Sequence, residues 1–459
     1  MHNELAQVAV DAYTAPATLG GRAQVGLKLG PVDASLKAAM ERGGGGLVPA
    51  AEAWSAVNRP AEWTGDEVEL GAVWAPRPDA KVTLDAGDRA RQTLHYGSPL
   101  ANGADDRMVT DQAQFVRLNA ATKPAQNLEV RVGGEATKTL LESQSVDASD
   151  APATALWTEV RRLFAGFTWK PAPKVTVEAG QSVQSLGVAW RGAGEAEAEN
   201  AYVTPQVAVT ITPWTNGKWR LAAEEAVSPL NPSQFASYAQ LGGSAAGPTL
   251  EPDQGWRYAV RYEQKLPLGM SVAAGLLNWR LNSITELGPV GGGEAPVSAG
   301  EAEKRKLDIN LSTPLEPMGL QGASLSGQFV WQWSEVADPF TGLQRSVSGE
   351  SPYQAQLKLA GDVYGRDLSW RLTAQASGPQ SIFQMAQVTT LSSTAGLGGA
   401  LTYGAGPVRV SLELDNMLGG ARTVTEVQFA GSRADGAPTG VNRRKDEARA
   451  VRIALKRRL

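Results

Sequence analysis

Apolar and polar side chains alternate with a period of two along most of the chain, the pattern of extended strands that turn successive side chains to opposite faces. Ala23, Val25, Leu27 and Leu29 alternate with Arg22, Gln24, Gly26 and Lys28, and Leu128, Val130 and Val132 with Glu129, Arg131 and Gly133. The same split recurs in Leu357 and Leu359, in Leu368, Trp370, Leu372 and Ala374, in Val408, Val410, Leu412 and Leu414, and finally in Val451, Ile453 and Leu455. No segment of comparable length repeats at the i, i+3, i+4, i+7 spacing of an amphipathic helix. The pattern predicts an all-β chain in which each strand has one dry and one wet face.

The connections fall into two populations. Short turns rich in Gly, Pro, Asn and Asp are expected at Gly30-Pro31, 77–79, 123–127, 171–174, 215–217, 267–269, 314–320, 364–367 and 404–407. Between them lie long polar segments at 42–65, 94–110, 144–155, 191–200, 231–255, 287–300, 336–351, 377–393 and 419–447. Short and long alternate, so one end of the strand array carries tight hairpins and the other large loops. With strands of about ten residues, that is the layout of a transmembrane antiparallel up-and-down barrel with short periplasmic turns and long extracellular loops. A propeller, at roughly 40–45 residues per four-stranded blade, fits the turn spacing but not the content, since each interval holds two strands and a loop. Nine hairpins, a last strand near 448–459 and a weak first strand at Ala6, Val8, Val10 and Ala12 give about 20 strands, with 18–22 allowed. The expected organisation is one barrel domain over residues 1–459, with residues 1–20 holding the first strand and no recognisable plug.

Composition narrows the chemistry. The 459 residues carry 43 Lys and Arg against 47 Asp and Glu, a net charge of −4 without the basic field that draws in nucleic acid. The absence of cysteine excludes disulfides, thiolate metal sites and a cysteine nucleophile. Two histidines, His2 and His95, leave little for metal or acid–base work. No stretch reaches the roughly 18–20 apolar residues of a membrane helix. Met1-His2-Asn3-Glu4 is not the basic start of a secretory signal, which predicts a mature or recombinant form or a chain kept in the cytoplasm. A mean hydropathy of −0.23 suits a barrel with a polar lumen and polar loops, and suits a soluble β-protein equally.

A barrel of this size is too wide for side chains to fill, so the polar face should line water and the apolar face meet lipid. Trp74, Trp169, Trp214, Trp219 and Trp256 lie near expected strand ends, where aromatic girdles sit at the two membrane interfaces. The bland alternative places them on the strands of a soluble sandwich.

The run Val408-Arg-Val-Ser-Leu-Glu-Leu-Asp415 followed by Asn416-Met417-Leu418, a long loop and Arg449 to Leu459 resembles the closing hairpin of TonB-dependent outer-membrane receptors, whose penultimate strand ends in an Asn-Leu-Phe-like motif. Tyr202 to Val207, Trp219 to Ala222, Ala226 to Pro229 and Trp256 to Gly269 look similar to the same family, so the resemblance spans most of 156–459. It departs from the family in its count nearer 20 strands than 22, in the terminal Leu459 where an aromatic is usual, and in the lack of a recognisable plug or TonB box. The resemblance implies a receptor-like transporter barrel, not an enzyme, in the outer membrane of a Gram-negative-type bacterium, taking up a metal chelate or an oligosaccharide without a cofactor. Implied partners are outer-membrane lipid and lipopolysaccharide, the barrel-assembly machinery, and a plug-bearing or TonB-type protein. A plugless porin-like channel or structural barrel is the alternative, and a soluble β-rich binding protein the third.

Other chemistry is set aside on physical grounds. Gly43 to Gly46 and Gly291 to Gly293 lack the Lys-Ser/Thr and helix of a phosphate loop and read as flexible outer loops. Asp105-Asp106, Glu224-Glu225 and Asp446-Glu447 are adjacent pairs, which a strand sends to opposite faces. The basic runs Arg443-Arg444-Lys445 and Lys456-Arg457-Arg458 read as solvated charge or as contacts to anionic headgroups. Selectivity is expected in the polar strand face and in the loops 231–255, 336–351 and 419–447.

Overall fold

The alternation resolves into a ladder in which like side chains meet across every strand pair. A computed structural model describes residues 7–15, 18–44, 60–95, 107–145, 154–191, 195–228, 251–363, 367–406, 408–446 and 450–457. Its strands are β1 (Gln7–Ala15), β2 (Thr18–Leu29), β3 (Val32–Gly44), β4 (Pro60–Arg77), β5 (Ala80–His95), β6 (Arg107–Ala125), β7 (Leu128–Ser145), β8 (Thr154–Ala172) and β9 (Val175–Arg191). Then follow β10 (Glu195–Trp214), β11 (Gly217–Ser228), β12 (Asp253–Lys265), β13 (Ser271–Ser283), β14 (Thr285–Val290), β15 (Gly293–Ser298), β16 (Ala302–Pro314), β17 (Ala323–Ala337) and β18 (Gln344–Arg345). The remainder are β19 (Tyr353–Asp362), β20 (Leu368–Ser377), β21 (Gln380–Phe383), β22 (Gln387–Ser393), β23 (Gly396–Ala405), β24 (Val408–Asp415), β25 (Arg422–Phe429), β26 (Pro438–Asp446) and β27 (Ala450–Arg457).

Among the described residues one 21-stranded antiparallel sheet runs from β1 to β27, and its members other than the two-residue β18 make a ladder of 20 long strands. Each pairs with the next in chain order, skipping only β14–β15, β18, β21–β22 and β25–β26, and β27 returns to lie beside β1. The first and last strands therefore lie side by side, which covers the open edges that an extended sheet would leave to aggregate. The short turns expected at 30–31, 77–79, 123–127, 171–174, 215–217, 267–269 and 314–320 are present, and those at 364–367 and 404–407 lie partly outside the described residues. The weak first strand is β1, with Val8 opposite Val25 and Val10 opposite Ala23.

Register carries the two-faced pattern around the wall. Leu36 pairs with Leu70, Leu84 with Leu118, Gly134 with Leu163, and Leu163 with Val183, which in turn faces Val203. These side chains are solvent-accessible, Leu163 at 70%, as an outer wall made for hydrocarbon requires. On β10 the outward run from Ala201 to Ile211 spans about 34 Å along the strand, or about 24 Å once tilted by ~45°, close to the height of an outer-membrane apolar band. Above it the outer surface turns ionic, with Lys138 3.5 Å from Glu159 and Arg161 on the same carboxylate. The opposite face is polar: Glu69 reaches Lys37 at 3.4 Å, Glu135 reaches Arg117 at 3.5 Å, and Glu178 reaches Arg220 at 2.7 Å. The cavities lie on this face, so it is the concave one. Two inward rings cover backbone at glycine: a Cβ at Gly133 would lie 2.5 Å from Phe164, and one at Gly87 2.6 Å from Phe115.

Four expectations change. The strands from β4 to β10 are 16–20 residues long rather than about ten, because they run past the apolar band into the loop side. The segment 191–200 is mostly strand, since Glu195 pairs directly with Arg191. The segments 287–300, 377–393 and 419–447 are not plain loops: they hold the hairpin β14–β15 and a four-stranded sheet of β21, β22, β25 and β26. Gly291-Gly292, expected to be flexible, is the tight turn of that hairpin, with φ of 57° and 82° that glycine adopts without strain. Residues 229–250 of the expected loop, His2, Gly45-Gly46, Asp105-Asp106, Glu447, Arg458 and Leu459 lie outside the described residues.

Candidate functional site

The loop end of the barrel is roofed by its own connections. The β14–β15 hairpin leaves the wall between β13 and β16 and leans inward, placing Leu287, Val290 and fully buried Ala295 against Leu156, Leu186, Val188 and Trp190. Those four belong to the inward face of β8 and β9, where Trp190 pairs with Leu156. This is the barrel's main apolar core, and it sits inside the mouth. A second small core of Ile284, Val336 and Val347 anchors the hairpin base.

Four charged side chains hold the roof together. The Asp338 carboxylate, just beyond β17, receives Arg345 Nε at 2.7 Å and Arg433 Nη1 at 2.7 Å, while Phe340 N donates to it at 2.9 Å. Arg345 Nη2 also donates to Glu286 of the hairpin at 3.1 Å, and Ser348 donates to the same carboxylate through its backbone N–H at 2.8 Å and its hydroxyl at 2.6 Å. All four charges are nearly enclosed, with Glu286 at 0% and Asp338 at 2% side-chain exposure. Both guanidinium groups lie over the Phe383 ring, at 4.2 and 5.6 Å. Met385 N donates to Glu294 at 2.6 Å. One ion cluster thus binds the hairpin to the connections after β17, β20 and β24.

Charge and burial set opposite acidities within this roof. Burial raises the Asp338 carboxyl, but hydrogen bonds from Arg433, Arg345 and Phe340 N overcome it and hold it at about 2. Glu294 is pushed up by burial, which its bond from Met385 N and the charge of Arg433 only partly offset.

Beneath the roof, the inner wall is polar and open. One cavity of about 920 Å³ is lined by Gln328, Gln354, Gln356, Lys358, Arg371 and Gln375 among others, with Glu413 and Arg422 at its border. A second, of about 700 Å³, continues toward the short turns past Gln328, Gln356, Asn310, Lys218 and Glu263. The two share Gln328 and Gln356, so they form one polar track down the wall. The pattern of alternation had already marked this face as polar; what it did not mark is the apolar seat for the hairpin.

The closing-strand motif has a local physical role. Asn416 ends β24 at φ 53°, a left-handed conformation that Asn tolerates. Its side chain accepts from Gly420 N at 2.6 Å and donates to Gly420 O at 2.7 Å, so it pins the turn out of the barrel. Met417 N donates to Leu397 O at 2.7 Å, and Met417 and Leu418 are exposed. Val451, Ile453 and Leu455 pair in register with Leu414, Leu412 and Val410. Trp74, Trp169, Trp214 and Trp219 are exposed and lie toward the short-turn end, Trp214 opposite Gly217. Trp256 lies toward the loop end, stacked on Tyr258 at 6.1 Å, and stacked Trp331 and Trp333 share that level of the outer face. Sequence reading missed the loop-end pair. His95 is the last residue of β5, and Glu224 is paired with Arg257 on the inner wall.

No protein-family model matches the sequence, and no curated protein sequence is similar to it. Solved structures are similar in fold. The ferric citrate transporter FecA in its unliganded form matches with a TM-score of 0.69 at 11% identity, over 99% of this chain and 73% of that one. The ferric yersiniabactin uptake receptor FyuA from Yersinia pestis gives 0.66 at 13% identity, over 98% and 74%, and the copper transporter OprC gives 0.68 at 10%, over 99% and 78%. At these identities the likeness is one of fold, and the chain is built as the outer-membrane barrel of TonB-dependent receptors is built.

Proposed function

We propose that this chain works as a single barrel unit of a TonB-dependent type of uptake receptor in the outer membrane of a Gram-negative-type bacterium, admitting a scarce nutrient of the metal-chelate or oligosaccharide class. The observation that carries this reading is the roofed mouth over a polar track: a structural barrel needs no continuous polar track, and a general pore needs no locked roof. The tryptophans near the two strand ends then serve as interface girdles, and the ionic outer rim at Lys138, Glu159 and Arg161 faces headgroups or lipopolysaccharide. A plug-bearing or TonB-type partner supplies the energy coupling, the barrel-assembly machinery inserts the chain, and no catalysis is required of it.

The test is solute entry into outer-membrane-expressing cells with and without a protonophore. Energy-coupled uptake predicts that entry of the recognised solute falls at least tenfold when the proton gradient is dissipated. Entry that is unchanged by the protonophore would replace this reading by a second one, a passive channel closed by its own hairpin. That second reading draws on one observation: among the described residues, the roof is made from the barrel's own connections.

A further inference from the structure

The inner wall from β16 to β23 carries an ordered row of carboxamides. Asn310 faces Gln328, Gln328 faces Gln356, Gln356 faces Gln375, and Gln375 faces Gly396. Four amides on four successive strands, three strand spacings of ~4.8 Å, make a straight row about 14 Å long. Asp308 accepts from Asn310 Nδ2 and lies 3.5 Å from Gln328 Nε2, which fixes the orientation of the first two. The next row toward the short turns runs Ser312, Ser326, Lys358, Thr373 and Gly398. The one after it places Arg371 between Ala360 and Ala400. Lys358 and Arg371 are thus diagonal neighbours on one face, directly below the amide row.

Charge around the larger cavity is unbalanced. Glu178 with Arg220 and Glu224 with Arg257 neutralise one another, whereas the cavity holds Lys358, Arg371 and Arg422 with one carboxylate, Glu413, in its lining and a second, Asp308, beside the amide row. Among the described residues none of these three cations is in an ion pair. Gly396 and Gly398 end the rows without side chains and leave the recess open. Among the described residues no aromatic ring lines the cavity.

Resting on the uptake reading above, we propose that this wall is the recognition site for an acidic oligosaccharide, an extended hydroxyl-rich chain bearing carboxylates. Each carboxamide donates and accepts, as each sugar hydroxyl does, so a row of four reads successive hydroxyls along a chain. Lys358 and Arg371 supply the charge-assisted bonds that a carboxylate requires, Arg371 in the bidentate geometry of a guanidinium. A compact chelate would use the cations but leave most of the row unfilled. A neutral sugar would use the row but leave the cations unpaired, without aromatic stacking to compensate.

The experiment is calorimetric titration of the detergent-solubilised barrel with three probes: trigalacturonate, maltotriose of the same chain length without carboxylates, and citrate, which has carboxylates without the chain. The expected result is that trigalacturonate binds at least tenfold more tightly than either of the others. Lys358→Gln with Arg371→Gln should bring trigalacturonate down to the maltotriose level, and Gln356→Ala with Gln375→Ala should weaken both sugars. Citrate binding as tightly as trigalacturonate, or trigalacturonate binding that is absent or unmoved by the Lys358 and Arg371 substitutions, would overturn the proposal. Because the titration requires no transport, binding without protonophore-sensitive entry would retire the uptake reading and leave the site standing.

Discussion

Replacing residues 286–297 by a short Gly-Ser linker should raise the single-channel conductance of the barrel in planar bilayers several-fold over the intact chain. In the intact chain the hairpin is held inside the mouth by the apolar seat of Leu287, Val290 and Ala295 on the inward face of β8 and β9. Burying such side chains is worth about 25 cal/mol per Å² of apolar area. Even about 3 kcal/mol from these contacts leaves the hairpin undocked in fewer than about one molecule in a hundred. Removing the hairpin removes that obstruction from the mouth, while the ladder from β13 to β16, which pairs Leu281 with Ala302 at its top, does not depend on it. Equal conductance in the two proteins would mean that the hairpin does not close the lumen.

The second large effect is expected at Asp338. Its carboxylate satisfies two guanidinium groups that are 9% and 7% exposed, so Asp338→Ala leaves two enclosed positive charges without their shared partner. Breaking a buried pair in this way costs about 3–5 kcal/mol, and here the loss falls on the roof rather than on the wall. Hydrogen exchange should quicken by two orders of magnitude or more at 338–348 and 429–436, with the strand ladder unchanged. The pH dependence follows from the same geometry. Since the folded carboxyl is held at about 2, below its ordinary value of 3.8, its contribution is complete above that ordinary value. It is lost only as the pH falls through about 2. The Asp338 share of roof protection should therefore be constant from neutral pH down to about 4 and disappear below about 2, while the Glu294 carboxyl, raised by burial, makes the roof more stable rather than less as the pH falls through its own titration. Protection that decays between pH 7 and 5 would point to a different lock.

The wall was legible in the sequence and the roof was not, for a physical reason. A barrel strand writes its faces locally, so Leu128, Val130 and Val132 against Glu129 and Arg131 suffice to assign in and out, and Gly, Pro and Asn suffice to place each reversal. The strand count and the weak N-terminal strand followed from those two signals. The hairpin seat joins Val290 to Trp190, and the lock joins Asp338 to Arg433, 95 residues away; contacts at such separations leave no periodic mark. One signal was present and misread: Gly291-Gly292 between short alternating runs is a hairpin turn, not a flexible loop. The amide row was likewise hidden, because Asn310, Gln328, Gln356 and Gln375 meet only once the register of four strands is known.

The central claim is that one closed wall turns its apolar face to lipid and its polar face to a water-filled lumen. The chain has no cysteine, so single cysteines can be introduced one at a time and labelled without background. Leu70, Leu118, Leu276 and Leu357 represent the outer face, and Glu69, Arg117, Glu178 and Gln356 the inner one. Spin labels at the four leucine positions should collide with oxygen dissolved in the bilayer and be shielded from a water-soluble relaxation agent, and labels at the other four should show the reverse. The same accessibility at both sets, or the reverse assignment, would contradict the account.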